Sequence, residues 1–290
     1  MNATATATVN TSAASNYDEA ADYIWNNSFD KPTLVVSRAR VGVQYDSLQA
    51  GLGDARIHYA VKANPAPEII RMLVERGSGF DAASRQEIEL CLSQGADPAK
   101  ISFGNTIKRG VDIAFAHSIG VTMFAADCEA ELDKIAEHAP GARVYIRLIV
   151  ENSMADWPLT RKFGCAGSLL PSLLEYTKSV GLVPYGLSFH VGSQTRRAEY
   201  WHPVLDQVAP LWHAAKEAGH DLQLLNIGGG FPAYHGDPVD APRGYAAAVV
   251  TAVKERFGEI PVLMAEPGRG MVAEAGHIAA EVLLVSRKSA

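Results

Sequence analysis

Residues 57–94 read IHYAVKANPAPEIIRMLVERGSGFDAASRQEIELCLSQ, and the fold class follows from them. Residues 57–61 form a short apolar run of strand type. Residues 66–76 then space their apolar side chains as a helix does, with Pro65 and Pro67 near the start, where proline is best tolerated. Residues 79–81 make a second short strand, and 84–94 a second helix that Ser84 and Glu87 open in a capping-box pattern. Two consecutive β–α units set a rhythm that the rest of the chain repeats.

Further strands are predicted at 101–103, 123–125, 143–148, 184–189, 223–227 and 262–265, and helices at 109–119, 128–138, 169–180, 198–219 and 243–257. Gly120, Gly181, Gly219 and Gly258 stand at helix ends, where a left-handed cap suits glycine. Eight strands alternating with helices imply a parallel sheet with right-handed crossovers. A (β/α)8 barrel needs roughly 250 residues, which nearly uses the chain, and this favours closure over an open doubly wound sheet. Residues 32–37 read as a strand outside the barrel. Residues 276–286 form an apolar β-rich run with nothing after it to pair with. The expected plan is a disordered leader over 1–16, the barrel over 17–275, and over 276–290 the start of a C-terminal β domain.

Bulk properties exclude several function classes. The net charge is −6 and no basic stripe is present, which argues against nucleic-acid binding. No run approaches the ~18 apolar residues of a membrane span. The N-terminus lacks the basic and apolar segments of a secretion signal. Cys91, Cys128 and Cys165 form no C-x-x-C pair and no metal-like spacing with histidine. They read as small core side chains in a reducing, cytoplasmic setting, and no metal is expected.

In such barrels the reactive residues sit at the C-terminal ends of strands. Lys62 ends the first strand, Asp81 the second, His190 the sixth and Glu266 the eighth, while Arg147 lies near the end of the fifth. Gly228, Gly229 and Gly230 follow the seventh. Partial burial of Lys62 is expected to lower its pKa, as condensation with an aldehyde requires; alone, it reads first as a rim lysine that snorkels to water. The glycine triplet offers unobstructed N–H groups where these barrels often bind phosphate, though alone it reads first as a tight turn. Arg269 adds a planar donor fork and Ser193 a hydroxyl, though each also fits an ordinary surface role. His190 suits stacking on a flat ring, or a satisfied core position. Closure of the barrel sets the eighth strand beside the first, so Lys62 and Glu266 face one opening. An amine for an aldehyde and a carboxylate for a pyridinium nitrogen are what pyridoxal phosphate chemistry needs.

Five motifs carry a family resemblance: Tyr59-Ala-Val-Lys-Ala-Asn64, Gly79-Phe-Asp-Ala-Ala-Ser84, His190-Val-Gly-Ser-Gln194, Gly228-Gly-Gly-Phe-Pro232 and Glu266-Pro-Gly-Arg269. With Arg161-Lys-Phe-Gly164, they resemble the fold-type III pyridoxal-phosphate decarboxylases, which act on ornithine, lysine, arginine and diaminopimelate, and the pattern is most similar to the ornithine enzymes. The resemblance runs from about Pro32 to the C-terminus and implies an alanine racemase-like barrel. It further implies that Lys62 holds pyridoxal 5′-phosphate as a Schiff base, Glu266 its ring nitrogen, and His190 its ring face. Ser193, Gly229, Gly230 and Arg269 would bind phosphate. Asp81, Glu87 and Arg147 would form the polar network beside Lys62, and Ala60 would pack near the cofactor. A small basic amino acid as substrate and a homodimer are implied as well. Complete relatives carry a C-terminal β domain that supplies a catalytic cysteine, a substrate-binding aspartate and a phosphate-contacting tyrosine; none of them is found in this chain. Full turnover is therefore expected only with a C-terminal domain or a partner chain. Pyridoxal phosphate carriers lack the histidine and Glu-Pro-Gly-Arg motifs, and alanine racemases place arginine where Glu266 stands. A regulatory homologue is disfavoured by the retention of Lys62 and Glu266.

Overall fold

The computed structural model describes residues 19–152, 154–157 and 162–288. The expected leader, and Arg161 of the Arg161-Lys-Phe-Gly164 motif, lie outside the described residues. Residues 38–274 form one compact unit, and the segments on either side of them form another.

In the terminal unit, helix α1 (Glu19–Trp25) precedes strand β1 (Thr33–Val36). Strand β1 pairs antiparallel with the last strand, β10 (Gly276–Ala279), from Thr33↔Ala279 to Val36↔Gly276. The run expected to lack a partner is thus paired, with a segment far upstream in sequence. The strand stops at Ala279, short of the predicted end, and Val282–Val285 beyond it are 75–87% exposed.

The barrel unit opens with a helix that the sequence reading did not mark, α2 (Arg38–Leu52). Its buried Val41, Tyr45, Leu48 and Leu52 keep helical spacing, but Gly42 and Gly51 interrupt the pattern with the weakest ordinary helix former. Gly51 has a packing reason: a Cβ there would stand 2.2 Å from the Arg243 carbonyl oxygen, in the helix facing it.

The chain then alternates β2 (Arg56–Ala60), α3 (Pro67–Glu75), β3 (Gly79–Ala82), α4 (Arg85–Ser93), β4 (Ile101–Phe103), α5 (Gly110–Ser118), β5 (Met123–Ala126), α6 (Glu129–His138), β6 (Arg143–Arg147), α7 (Leu170–Ser179), β7 (Val183–Ser188), α8 (His202–Glu217), β8 (Leu224–Asn226), α9 (Pro242–Phe257), β9 (Val262–Ala265) and the short α10 (Arg269–Val272). Strands β2 to β9 close a parallel barrel, and the seam is the pairing of β2 with β9 at Arg56↔Met264 and Ile57↔Ala265. The fold is the predicted (β/α)8 barrel. Met123, Ala125, Tyr145, Leu224 and Met264 pack together in its interior.

Local chemistry explains the boundaries. Ser84 caps α4 by accepting from the Glu87 N–H at 3.3 Å. The Glu87 carboxylate reaches back one residue further than a capping box predicts and accepts from Ala83 N–H at 2.7 Å. The helix expected over 198–219 is a 3-10 turn, Ala198–Trp201, continued by α8 with Pro203 in its first turn, where no N–H is needed. Cys91 and Cys165 are buried as expected, whereas Cys128 is exposed beside the start of α6, because the N-cap position faces solvent.

A buried ion pair fixes the wall between β4 and α6. The fully buried Lys108 ammonium donates to Glu131 at 2.9 Å, to Asn105 O at 2.8 Å and to Ala125 O at 2.6 Å. Lys134 reaches the other oxygen of Glu131 at 2.5 Å. Burial, opposed by the Glu131 charge, pulls the Lys108 amine down to about 8. Glu131→Ala leaves that cation without its carboxylate, so urea unfolding is expected to show a loss of roughly 3–5 kcal/mol. The apolar double variant Lys108→Met with Glu131→Leu is expected to recover much of it.

Candidate functional site

The predicted site residues fall at the C-terminal mouth of the barrel, most of them just inside or past a strand end, with Glu87 in the first turn of α4 and Arg269 at the start of α10. Strand β2 stops at Ala60, and Lys62 sits in a 3-10 turn, Val61–Ala63, rather than in the strand. Tyr59 locks that turn by donating its hydroxyl to Asn64 O at 3.0 Å. The seam continues past the strands: Ala60 N–H donates to Pro267 O at 3.2 Å, tying the lysine turn to the Glu266-Pro-Gly-Arg269 loop.

Lys62 Nζ lies 3.3 Å from Asp81 Oδ2, and its side chain stays 61% exposed toward the mouth while Asp81 is 5% exposed. The Asp81 carboxylate raises the Lys62 pKa against the pull of burial, and Glu266 raises it further. The expected lowering is therefore corrected: a carboxylate at contact distance outweighs desolvation. Glu87 joins the network, its carboxyl raised first by burial and then by the Asp81 charge. Arg147, the last residue of β6, makes no ion pair among the described residues; its guanidinium stacks over Phe163 at 5.4 Å. Its charge bears on Lys62, His190 and Glu266 alike.

Glu266 follows β9 directly and is pushed up to about 7, chiefly by burial and next by Asp81, with Lys62 drawing it back. Asn226, at the end of β8, donates to Glu266 Oε1 at 2.5 Å and accepts from Gly228 N–H at 2.9 Å. One amide thus fixes both the carboxylate and the start of the glycine loop. Sequence reading missed Asn226; the available signal was a lone polar residue closing an apolar strand.

His190 accepts from Gly192 N–H through Nδ1 at 3.0 Å. Burial foremost, then the Arg147 and Lys62 charges, hold its pKa at about 3, so the ring is neutral and its remaining proton rests on Nε2. Gly229 lies against this ring: a Cβ there would meet the Glu266 carbonyl oxygen at 2.9 Å and His190 Nε2 at 3.0 Å. Gly230 has φ +104°, where a side chain is strained, and its Cβ would meet Val191 Cγ2 at 2.5 Å. Arg269 Nε donates to Ser193 Oγ at 3.2 Å, which joins a cation and a hydroxyl beside the same loop.

Two further residues hold this corner together. Gln194, with φ 59°, accepts from Ala233 N–H at 3.1 Å and donates to Ala233 O at 2.5 Å. Trp157 exchanges backbone hydrogen bonds with Ser193 at 3.2 and 2.9 Å, and its ring carries the Arg269 guanidinium at 4.7 Å. Nothing in the sequence marks Trp157, because its partners lie 36 and 112 positions away (193 − 157 and 269 − 157).

The donor set fits pyridoxal phosphate. A primary amine stands at an open mouth, a part-buried carboxylate held by Asn226 ends the neighbouring strand of the seam, and a neutral imidazole lies against the glycine loop. Buried Asp81 Oδ1 has no hydrogen-bond partner among the described residues, so this carboxylate keeps acceptor capacity beside Lys62.

The family model described as "pyridoxal-dependent decarboxylase, pyridoxal binding domain" matches residues 38–273. The chain is 35% identical over 260 residues to a decarboxylase of Aspergillus flavus, covering 89% of this chain and 59% of that protein. It is 33% identical over 255 residues to the lysine/ornithine decarboxylase of Selenomonas ruminantium, covering 87% and 64%. A solved lysine decarboxylase from Selenomonas ruminantium superposes with a TM-score of 0.84 at 30% identity, over 97% of this chain and 73% of that one.

Two measurements probe this geometry. The folded pKa of Glu266, about 7, lies above its ordinary 4.5, so its stabilising contribution is complete below about 4.5 and is lost as pH rises through about 7. Without cofactor, Glu266→Gln is expected to lose less urea stability than the wild type between pH 5 and 8; parallel slopes would show an ordinary carboxylate. Trp157→Ala removes the platform under Arg269 and is expected to weaken pyridoxal phosphate binding about two- to fivefold by equilibrium titration, with Trp157→Phe losing less.

Proposed function

We propose that this chain, which belongs to the pyridoxal-dependent decarboxylase family and comprises its pyridoxal-binding domain, serves a protein that removes carbon dioxide from a basic L-amino acid. The chain spans 59% and 64% of the curated relatives compared above, so the reaction belongs to the whole protein. The observation that carries this reading is the β2–β9 seam, which brings Lys62 and Glu266 to one mouth, near enough for each charge to act on the other's ionisation.

Each residue has a stated task. Lys62 would hold the cofactor aldehyde, and Asp81, 3.3 Å away, keeps the amine oriented and shares its proton. Glu266 would hold a proton on the ring nitrogen; a part-buried carboxylate fixed by Asn226 is suited to that bond. His190, neutral and flat against Gly229, would cover one ring face. Gly229, Gly230, Ser193 and Arg269 would hold the phosphate, with Ala60 packed at the base and Glu87 and Arg147 balancing charge around Lys62. Bound there, pyridoxal phosphate supplies an aldehyde for the substrate amine and an electron-accepting ring for the pair left by departing carbon dioxide.

Ornithine, giving putrescine for polyamine synthesis, is the first choice of substrate, with lysine or diaminopimelate behind it. The motif pattern supports ornithine as the first choice, and the similarity to a lysine/ornithine decarboxylase supports ornithine and lysine alike. A cytoplasmic homodimer completed by a C-terminal β domain accords with the reading. No helix among the described residues is long and apolar enough to cross a membrane.

Purified protein mixed with pyridoxal phosphate is expected to develop a visible absorption band that borohydride converts into a covalent mass increase at Lys62. Lys62→Ala abolishes both, and survival of the band in that variant would falsify the assignment. Carbon dioxide release by the full-length protein with ornithine, lysine, arginine and diaminopimelate ranks the substrates; no release with any of them overturns the decarboxylase reading.

A further inference from the structure

The barrel has a second opening, at the end opposite Lys62, where the strands begin. A cavity of about 350 Å³ lies there, lined among others by Arg56, Lys100 and Arg143 and by His58, Tyr185 and Asp54. Arg56 and Arg143 are the first residues of β2 and β6, and Lys100 immediately precedes β4. Strands from three sides of the barrel thus each bring a cation to one hollow.

These cations are not used up within the protein. Among the described residues none of the three makes an ion pair. Arg143 spends one nitrogen on Thr122 Oγ1 at 2.9 Å and stacks on Tyr185 at 4.8 Å, which fixes its plane and leaves other donors over. Lys100 makes only a long contact to Gly77 O at 3.4 Å. Asp54 is the single carboxylate in the lining, so the hollow carries an excess of two positive charges (three cations less one anion).

His58 supplies an independent observation. It lines the cavity at 4% exposure, and its buried Nδ1 has no hydrogen-bond partner among the described residues. A buried polar atom without a partner calls for a ligand or a water. Burial, opposed by the Asp81 charge and a backbone hydrogen bond of Phe80 and aided by the Arg56 and Lys100 charges, pulls the ring down to about 4, so a neutral His58 adds no charge of its own to the hollow. Low-dielectric walls and convergent cations of one sign concentrate anions. Arginine and lysine together favour an oxyanion with several acceptors, which a planar fork can engage in pairs.

We propose that the N-terminal mouth of the barrel binds a small phosphate dianion, either inorganic phosphate or a compact phosphate monoester, between Arg56, Lys100 and Arg143. The volume exceeds that of orthophosphate and leaves space for a short ester substituent. The site is separate from the cofactor phosphate cradle, which lies at the other end of the same barrel beside Gly229, Gly230 and Arg269.

The test uses protein already loaded with pyridoxal phosphate, so that the cradle is filled. Calorimetric titration with inorganic phosphate forms one arm and glycerol 3-phosphate the other, with the His58 ring followed by NMR. Saturable binding in either arm, with a shift of the His58 resonances, is expected, and the stronger arm names the source. Lys100→Gln and Arg143→Gln are each expected to weaken it about tenfold. Lys100 is exposed, so that variant decides the matter if Arg143→Gln folds poorly. No saturable binding in either arm, or binding that Lys100→Gln leaves unchanged, overturns the proposal.

Discussion

Everything at the candidate site depends on the seam where β2 meets β9. The two strands are more than 200 positions apart in sequence, yet they are hydrogen-bonded neighbours at Arg56↔Met264 and Ile57↔Ala265. Past the last paired residues, the Ala60 amide still reaches Pro267, so the two loops that carry Lys62 and Glu266 leave the barrel as one joined edge. Without closure an amine and a carboxylate would end separate strands at the rims of an open sheet. With it, they share one mouth, and each charge alters the other's ionisation.

The electrostatics of that mouth follow from crowding. Asp81, Glu87 and Glu266 compete for the positive charge of Lys62 and Arg147, and Asp81 holds the closest position at 3.3 Å. Lys62 therefore stays charged, and Glu266, left with burial and a like-charged neighbour, is the carboxylate most inclined to hold a proton. That is a suitable resting state for a group meant to meet a ring nitrogen. The phosphate end is built differently, from backbone. Asn226 anchors the glycine loop and Gln194 clamps it to the preceding loop, so Gly229 can lie against His190 without a Cβ between them.

The two mouths of the barrel thus differ in kind. The C-terminal mouth combines both signs of charge with a hydroxyl and open backbone. The N-terminal mouth holds cations in excess around a neutral histidine. Tyr145 and Met123 fill the layer between them, and the interior is a packed core rather than a channel.

By itself the sequence determined the alternation of short apolar strands with amphipathic helices, the closed barrel that such alternation requires at this length, and the strand ends where Lys62, Asp81, His190, Gly228–Gly230 and Glu266 fall. These are local patterns, legible because apolar spacing and glycine placement act within a few residues. Helix α2 escaped because Gly42 and Gly51 weaken its local signal, and only packing against α9 shows why Gly51 is there. The pairing of β1 with β10, the raised rather than lowered pKa of Lys62, the anchoring by Asn226 and the stacking of Arg269 on Trp157 were decided by tertiary structure alone. Each joins groups that chain order keeps apart, and a hydrogen bond or a Coulomb interaction depends on distance in space, which no spacing along the chain encodes.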